Sequence, residues 1–150
     1  MTKFRLFLVA SLMAFVGMVT TVSAQKQVEL VLESTDAMQF TKKELKVKAG
    51  QSVKLTLKHT GKLAKAAMGH NFVLLAQGTD VAAFGQKAAQ ARDTEYIPKS
   101  EASKILASTK LIGGGESTTI EFKAPKKGTY TYICSFPGHY ALMQGKLIVE

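Results

Sequence analysis

Val53-Lys54-Leu55-Thr56-Leu57-Lys58-His59 alternates with a period of two. Val53, Leu55, Leu57 and His59 fall on one face, and Lys54, Thr56 and Lys58 on the other. An extended strand places every second side chain on the same side, so this segment predicts a strand with one face on a core and one in water. Upstream, Val28–Leu32 is a first candidate strand, and Leu45 and Val47 alternate with lysines in a second. Downstream, Asn71–Leu75 reads as a buried strand, and Ser117–Phe122 alternates with Ile120 and Phe122 as its large apolar residues. Thr129–Cys134 puts Tyr130, Tyr132 and Cys134 on one face, and Lys146–Val149 closes the chain. Ala49-Gly50, Gly113-Gly114-Gly115 and Lys126-Lys127-Gly128 supply turns between them. Seven or eight short strands so spaced predict an all-β fold, an eight-stranded Greek-key β-sandwich. Residues 79–92 break the pattern: Val81, Phe84, Ala88 and Ala91 fall at helical spacing, with Thr79 as the candidate N-cap. Gly85 interrupts that segment, which is expected to be a short or two-part helical insert against the sandwich.

The N-terminus addresses location. Lys3 and Arg5 precede an apolar run from Leu6 to Val19, and Val22-Ser23-Ala24 fits a signal-peptidase site. That run of about 14 residues is shorter than the roughly 20 needed to span a bilayer. Residues 1–24 are therefore expected to be a cleaved secretory signal peptide rather than a membrane anchor. Residues 25–150 then form one domain that works in the periplasm and has no stable membrane insertion. Losing Lys3 and Arg5 lowers the formal net charge from +9 to +7. The remaining lysines are scattered among apolar residues, with no dense basic run and no aromatic RNA-binding motif, so nucleic acid is not an expected partner.

Export makes the cysteine count informative. The chain has a single cysteine, Cys134, which cannot form an internal disulfide. In an oxidising compartment it is expected to be either buried and inert or occupied by a metal. It lies in Cys134-Ser135-Phe136-Pro137-Gly138-His139-Tyr140-Ala141-Leu142-Met143, where four residues separate Cys from His and three separate His from Met. Thiolate, imidazole and thioether on one loop are a soft ligand set favoured by copper, with inert packing or zinc as the alternatives. A second imidazole comes from His59 or His70. His59, on the inward face of a strand, reads as a buried, hydrogen-bonded core histidine. His70, in Met68-Gly69-His70-Asn71, sits where a loop meets a strand and is the better ligand. Gly69 lets backbone come close to a metal and could offer its carbonyl opposite Met143.

Met68-Gly69-His70-Asn71, Thr109-Lys110-Leu111-Ile112-Gly113, Cys134–Met143 with Gly145, and Asp36-Ala37-Met38-Gln39-Phe40 together resemble the azurins, blue copper proteins of the cupredoxin class. The likeness runs from about Val28 to the C-terminus. The resemblance implies a cupredoxin-like sandwich holding one Cu(I)/Cu(II) ion. It makes Cys134, His70 and His139 the strong ligands, with Met143 and the Gly69 carbonyl as weak axial contacts. It gives Asn71 the role of bracing the ligand loops and His59 that of a buried non-ligand neighbour. The function it implies is one-electron transfer with redox proteins such as c-type cytochromes or copper/haem oxidoreductases. These would dock at an apolar patch around His139, rimmed by Lys62 and Lys65. Copper storage or delivery is the alternative function. A copper oxidase or reductase would need further histidines, often one beside the cysteine, but Ile133 and Ser135 flank Cys134 here. Three departures stand out. The azurin disulfide is absent where Val28 and Gly50-Gln51-Ser52 fall, Phe72 replaces a common Trp, and Thr60 replaces a common Pro.

Overall fold

Ser52–His59 forms β4, with Val53, Leu55 and Leu57 fully buried and His59 nearly so, while Lys54, Thr56 and Lys58 keep the outer face. In the computed structural model, which describes residues 26–150, β4 lies between two partners. Val28–Thr35 (β1) pairs with it in parallel, and Ser117–Lys123 (β7) antiparallel. A two-residue strand, Gln39–Phe40 (β2), adds to β1 and completes a four-stranded sheet in the order β2-β1-β4-β7. The second sheet contains Glu44–Val47 (β3), Val73–Leu75 (β5), Ile105–Ser108 (β6), Gly128–Ile133 (β8) and Gln144–Val149 (β9), in the order β3-β9-β8-β5-β6. The chain crosses between the sheets after β2, β3, β4, β6 and β7, which is why parallel pairs (β1–β4 and β3–β9) stand among antiparallel ones. The expected β-sandwich is therefore present. Nine strands are described, because β2 and β6 add to the seven segments that alternate or run apolar in the sequence. The expected signal peptide lies outside the described residues, among which no helix is long and apolar enough to cross a membrane.

The two inner faces meet in one large core that includes Leu32, Leu55, Leu57, Phe72, Tyr132 and Leu147. Burying one such aliphatic or aromatic side chain is worth about 1.5–3 kcal/mol relative to leaving it in water. Phe72 packs against Tyr132 with ring centroids 5.3 Å apart, and Phe40 meets the same ring edge-on at 5.6 Å. A second cluster of Val73, Leu75, Phe84, Ala88 and Ile133 seats the helical insert on the outer face of the five-stranded sheet.

That insert begins one residue later than its sequence suggests. The helix Val81–Ala89 is capped by Asp80, whose Oδ1 accepts from the Ala82 and Ala83 N–H groups at 2.9 and 3.0 Å. Thr79 instead donates its hydroxyl to the Ala76 carbonyl at 2.8 Å. Gly85 belongs in the helix because a side chain there would run into the Tyr140 ring. A separate 3₁₀ turn, Arg92–Thr94, follows, so the insert is two-part. Buried Glu101, in a further 3₁₀ run, ties the insert down by pairing with Lys87 and Lys104.

No disulfide links the start of β1 to the turn before β4. The Gln51 side chain bridges that region, donating to the Lys26 carbonyl and accepting from the Lys48 N–H, both at 3.0 Å.

Candidate metal centre

Cys134 follows directly on β8, and its side chain is fully buried with Tyr130 and Tyr132 on the core face. Its N–H donates to the Met143 carbonyl at 2.9 Å, closing the ligand loop at its base. Within the loop, the His139 N–H donates to the Phe136 carbonyl at 3.0 Å, and Gly138 has φ 80 and ψ −15. Pro137 then Gly138 at the two central positions make this a type II turn, which needs positive φ at its third residue. Met143 donates its N–H back to the His139 carbonyl at 2.8 Å. The three-residue spacing between His139 and Met143 is thus one helical turn, His139–Ala141 being a 3₁₀ segment.

His70 arrives from the other side. A short helix, Lys65–Met68, leads to Gly69 and His70, and His70 forms an isolated antiparallel bridge with Ile112. Gly69 is required by space: a Cβ there would lie 2.6 Å from the Lys65 carbonyl and 3.0 Å from the Leu111 side chain. The His70 Nε2 lies 3.0 Å from the Thr35 carbonyl, an acceptor only, so Nε2 carries the proton and Nδ1 is left unprotonated with its lone pair available to a metal.

These segments bring His70, Cys134 and His139 together. All three are buried, and their ligand atoms lie within 4.8 Å of one another. Cys134 Sγ is 3.8 Å from His70 Nδ1 and 3.7 Å from His139 Nδ1. First-row ion bonds of about 2.3 Å to sulfur and about 2.0 Å to imidazole, meeting at roughly 120°, require a sulfur–nitrogen separation of about 3.7 Å. Both sulfur–nitrogen separations therefore fit one ion shared by a thiolate and two imidazoles. The Gly69 carbonyl lies 3.8 Å from the same sulfur, and the Met143 side chain is fully buried in the surrounding core.

Burial sets the charge of these groups. It pushes the Cys134 thiol up to about 12, opposed by N–H groups of Asn71 and Phe136 that point at the sulfur. It lowers His70 to about 4, opposed by the hydrogen bond to Thr35, and lowers His139 to about 4 as well. At neutral pH the metal-free cluster is uncharged.

Asn71 braces the two ligand segments. Its Oδ1 accepts the Ser135 N–H at 2.8 Å, and Nδ2 approaches the Ser135 hydroxyl at 2.8 Å. His59 is not a ligand, but it differs from the expected hydrogen-bonded core histidine. It packs edge-on against His70 with centroids 4.3 Å apart, and Nε2 lies 3.2 Å from Asp36 Oδ1. Neither ring nitrogen reaches hydrogen-bond geometry with a described residue. The Asp36 carboxylate is held below its ordinary range chiefly by the Lys62 N–H, which donates at 2.8 Å. Thr35 and Ser135 are not legible in the sequence as parts of the site. Thr35 acts through a carbonyl that every residue possesses, whereas Ser135, beside the cysteine, could have been suspected from adjacency alone.

A buried cysteine sulfur and two imidazoles held between the loops of a two-sheet sandwich define a cupredoxin. A family model described as copper binding proteins of the plastocyanin/azurin family matches residues 26–150. The chain is 46% identical over 127 residues to "Azurin" of Achromobacter denitrificans, covering 81% of this chain and 83% of that one. It is 44% identical over 120 residues to "Azurin-1" of Alcaligenes xylosoxydans xylosoxydans, covering 77% and 92%. Among solved structures, auracyanin A, a "blue" copper protein of Chloroflexus aurantiacus, superposes with a TM-score of 0.76 at 35% identity, covering 83% of this chain and all of that one. The chain belongs to the plastocyanin/azurin family of copper binding proteins, and its His70–Cys134–His139 cluster is a single copper site of the electron-carrier kind.

Proposed function

We propose that this chain carries single electrons in the periplasm, after cleavage of residues 1–24, between redox proteins such as c-type cytochromes or copper/haem oxidoreductases. The observation that carries this reading is the burial of the His70–Cys134–His139 donor set, in which no residue is more than 4% exposed. When bound, copper would supply a one-electron Cu(II)/Cu(I) couple that three strong donors and two weak ones suit in both states. Cys134 and the two histidines would hold it. The Met143 thioether and Gly69 carbonyl would be the weak donors. The protein's part is to keep these donors in place: Thr35 orients His70, Asn71 fixes the segment after Cys134, and the type II turn sets His139. Burial also favours a fixed redox site over a store, which needs exchangeable, accessible donors.

In the His139 loop, Leu142 is 58% exposed and Pro137 is half-buried; Leu63, which the family resemblance places nearby, is 45% exposed. Exposed apolar residues this close to a redox ligand support docking there. Such encounters are small and weak, which suits rapid exchange of partners. Lys62 and Lys65 are both exposed beside Leu63 and favour an acidic partner. Stopped-flow rates with an acidic c-type cytochrome should fall as salt rises, because exposed charges are screened beyond about 8 Å at physiological ionic strength. Rates that do not change with salt would overturn the steering by these lysines.

A further inference from the structure

Glu95 and Tyr96 are consecutive non-glycine residues in the left-handed region, at φ 53 and 65, an uncommon conformation that side chains oppose. They end the helical insert: their N–H groups bond back to the Arg92 and Ala91 carbonyls, while the Glu95 carboxylate and both carbonyls face segments that carry or adjoin a copper ligand. Glu95 Oε2 accepts the Leu111 N–H at 3.1 Å. Next to Leu111, Ile112 exchanges both backbone hydrogen bonds with His70 at 2.9 Å, and the Leu111 side chain closes over Gly69. Glu95 Oε1 lies 3.5 Å from Lys65 Nζ, on the short helix that leads into Gly69. The Glu95 carbonyl accepts from Asn71 Nδ2 at 3.4 Å, and the Tyr96 carbonyl accepts the Ser135 hydroxyl at 2.8 Å. The Tyr96 ring packs edge-on against Phe136 at 5.1 Å between centroids.

We propose that Glu95, with the left-handed corner that carries it, is a positioning residue for the copper site. It locks the His70 and Cys134 segments to each other from outside the ligand shell. The helical insert is then a brace for the metal centre, and the strain of two left-handed residues is retained because it turns successive carbonyls toward Asn71 and Ser135. Hydrogen bonds that orient ligands in this way typically govern metal affinity by 10–100-fold when removed. The inference rests on the copper assignment, but the Glu95–Leu111 contact itself can be read without copper.

Glu95→Gly is the discriminating variant, because glycine accepts φ 53 without penalty and removes the side chain without adding backbone strain. In the metal-free protein, exchange of the Leu111 amide hydrogen should speed up by about tenfold or more while core amides of β4 stay unchanged. In the copper-loaded protein, release to a chelator should be roughly tenfold faster. Glu95→Gln keeps an oxygen for the Leu111 N–H and loses only the charge, so it should restore both readouts to within about threefold. Leu111 exchange and copper release in Glu95→Gly equal to those of the unaltered protein would overturn the proposal. So would a Glu95→Gln variant as impaired as Glu95→Gly. If Glu95→Gly does not fold, Glu95→Gln and Lys65→Met decide together. Both should hold copper nearly as the unaltered protein does, and fast release from either would place the effect in the ion pair instead.

Discussion

Loading the site with a divalent ion should release one proton per ion at neutral pH, and that proton comes from Cys134. Burial places the thiol at about 12 and both ligand imidazoles at about 4, so near pH 7 the thiol is protonated and the imidazoles are neutral. Only the thiolate binds metal. Removing its proton at pH 7 costs about 7 kcal/mol, at 1.36 kcal/mol per unit, which the metal–sulfur bond has to offset. Affinity should therefore rise tenfold per pH unit from about pH 5 to pH 9, with one proton exchanged. Below about pH 4 the imidazoles also compete, and the dependence should steepen toward three protons. Competition against a chelator of known pH dependence measures the slope, and proton release in weak buffer counts the protons directly. No release at pH 7 would mean the thiolate is already formed, and the burial argument would fail. Two protons would mean that an imidazole is charged. The metal-free protein supplies the matching stability profile. The lowered histidines contribute stability that is whole above 6.5 and is lost as pH falls through about 4. The raised thiol contributes stability that is whole below 9.0 and is lost as pH rises through about 12. Between those limits these groups should leave the unfolding midpoint flat.

Two further perturbations probe separate parts of the structure. Met143→Leu should keep the thiolate-to-copper colour and raise the reduction potential, because a weak donor that favours Cu(II) is lost; an unchanged or lowered potential contradicts an axial role. Gln51→Ala removes the two hydrogen bonds that span the place of the missing disulfide and should lower stability by about 1–2 kcal/mol in denaturant unfolding; no change would mean that other contacts hold the start of β1.

β4 was legible because its face alternates without interruption from Val53 to His59, and β7 and β8 for the same reason. β2 was not, since Gln39–Phe40 is too short to carry any period. β6 was not either: Ile105–Ser108 follows directly on a 3₁₀ run and is half-exposed on both faces. The helix was legible from Val81, Phe84 and Ala88, but its cap was misplaced by one residue because Thr79 and Asp80 are both good caps. In the site, His70, Cys134 and His139 were visible because ligand atoms belong to residue types. Thr35 and the Glu95–Tyr96 corner were hidden because they act through carbonyls, through positive φ angles and, at Glu95, through a carboxylate far in sequence from the Leu111 it holds. Those angles fall on residues that carry no glycine signal.

The central claim is that Cys134, as a thiolate between His70 and His139, binds copper directly. The visible and electron-paramagnetic spectrum of the Cu(II)-loaded protein tests this. The account requires an intense blue thiolate-to-copper charge-transfer band from one ion per chain. A fully loaded sample with no such colour would contradict it.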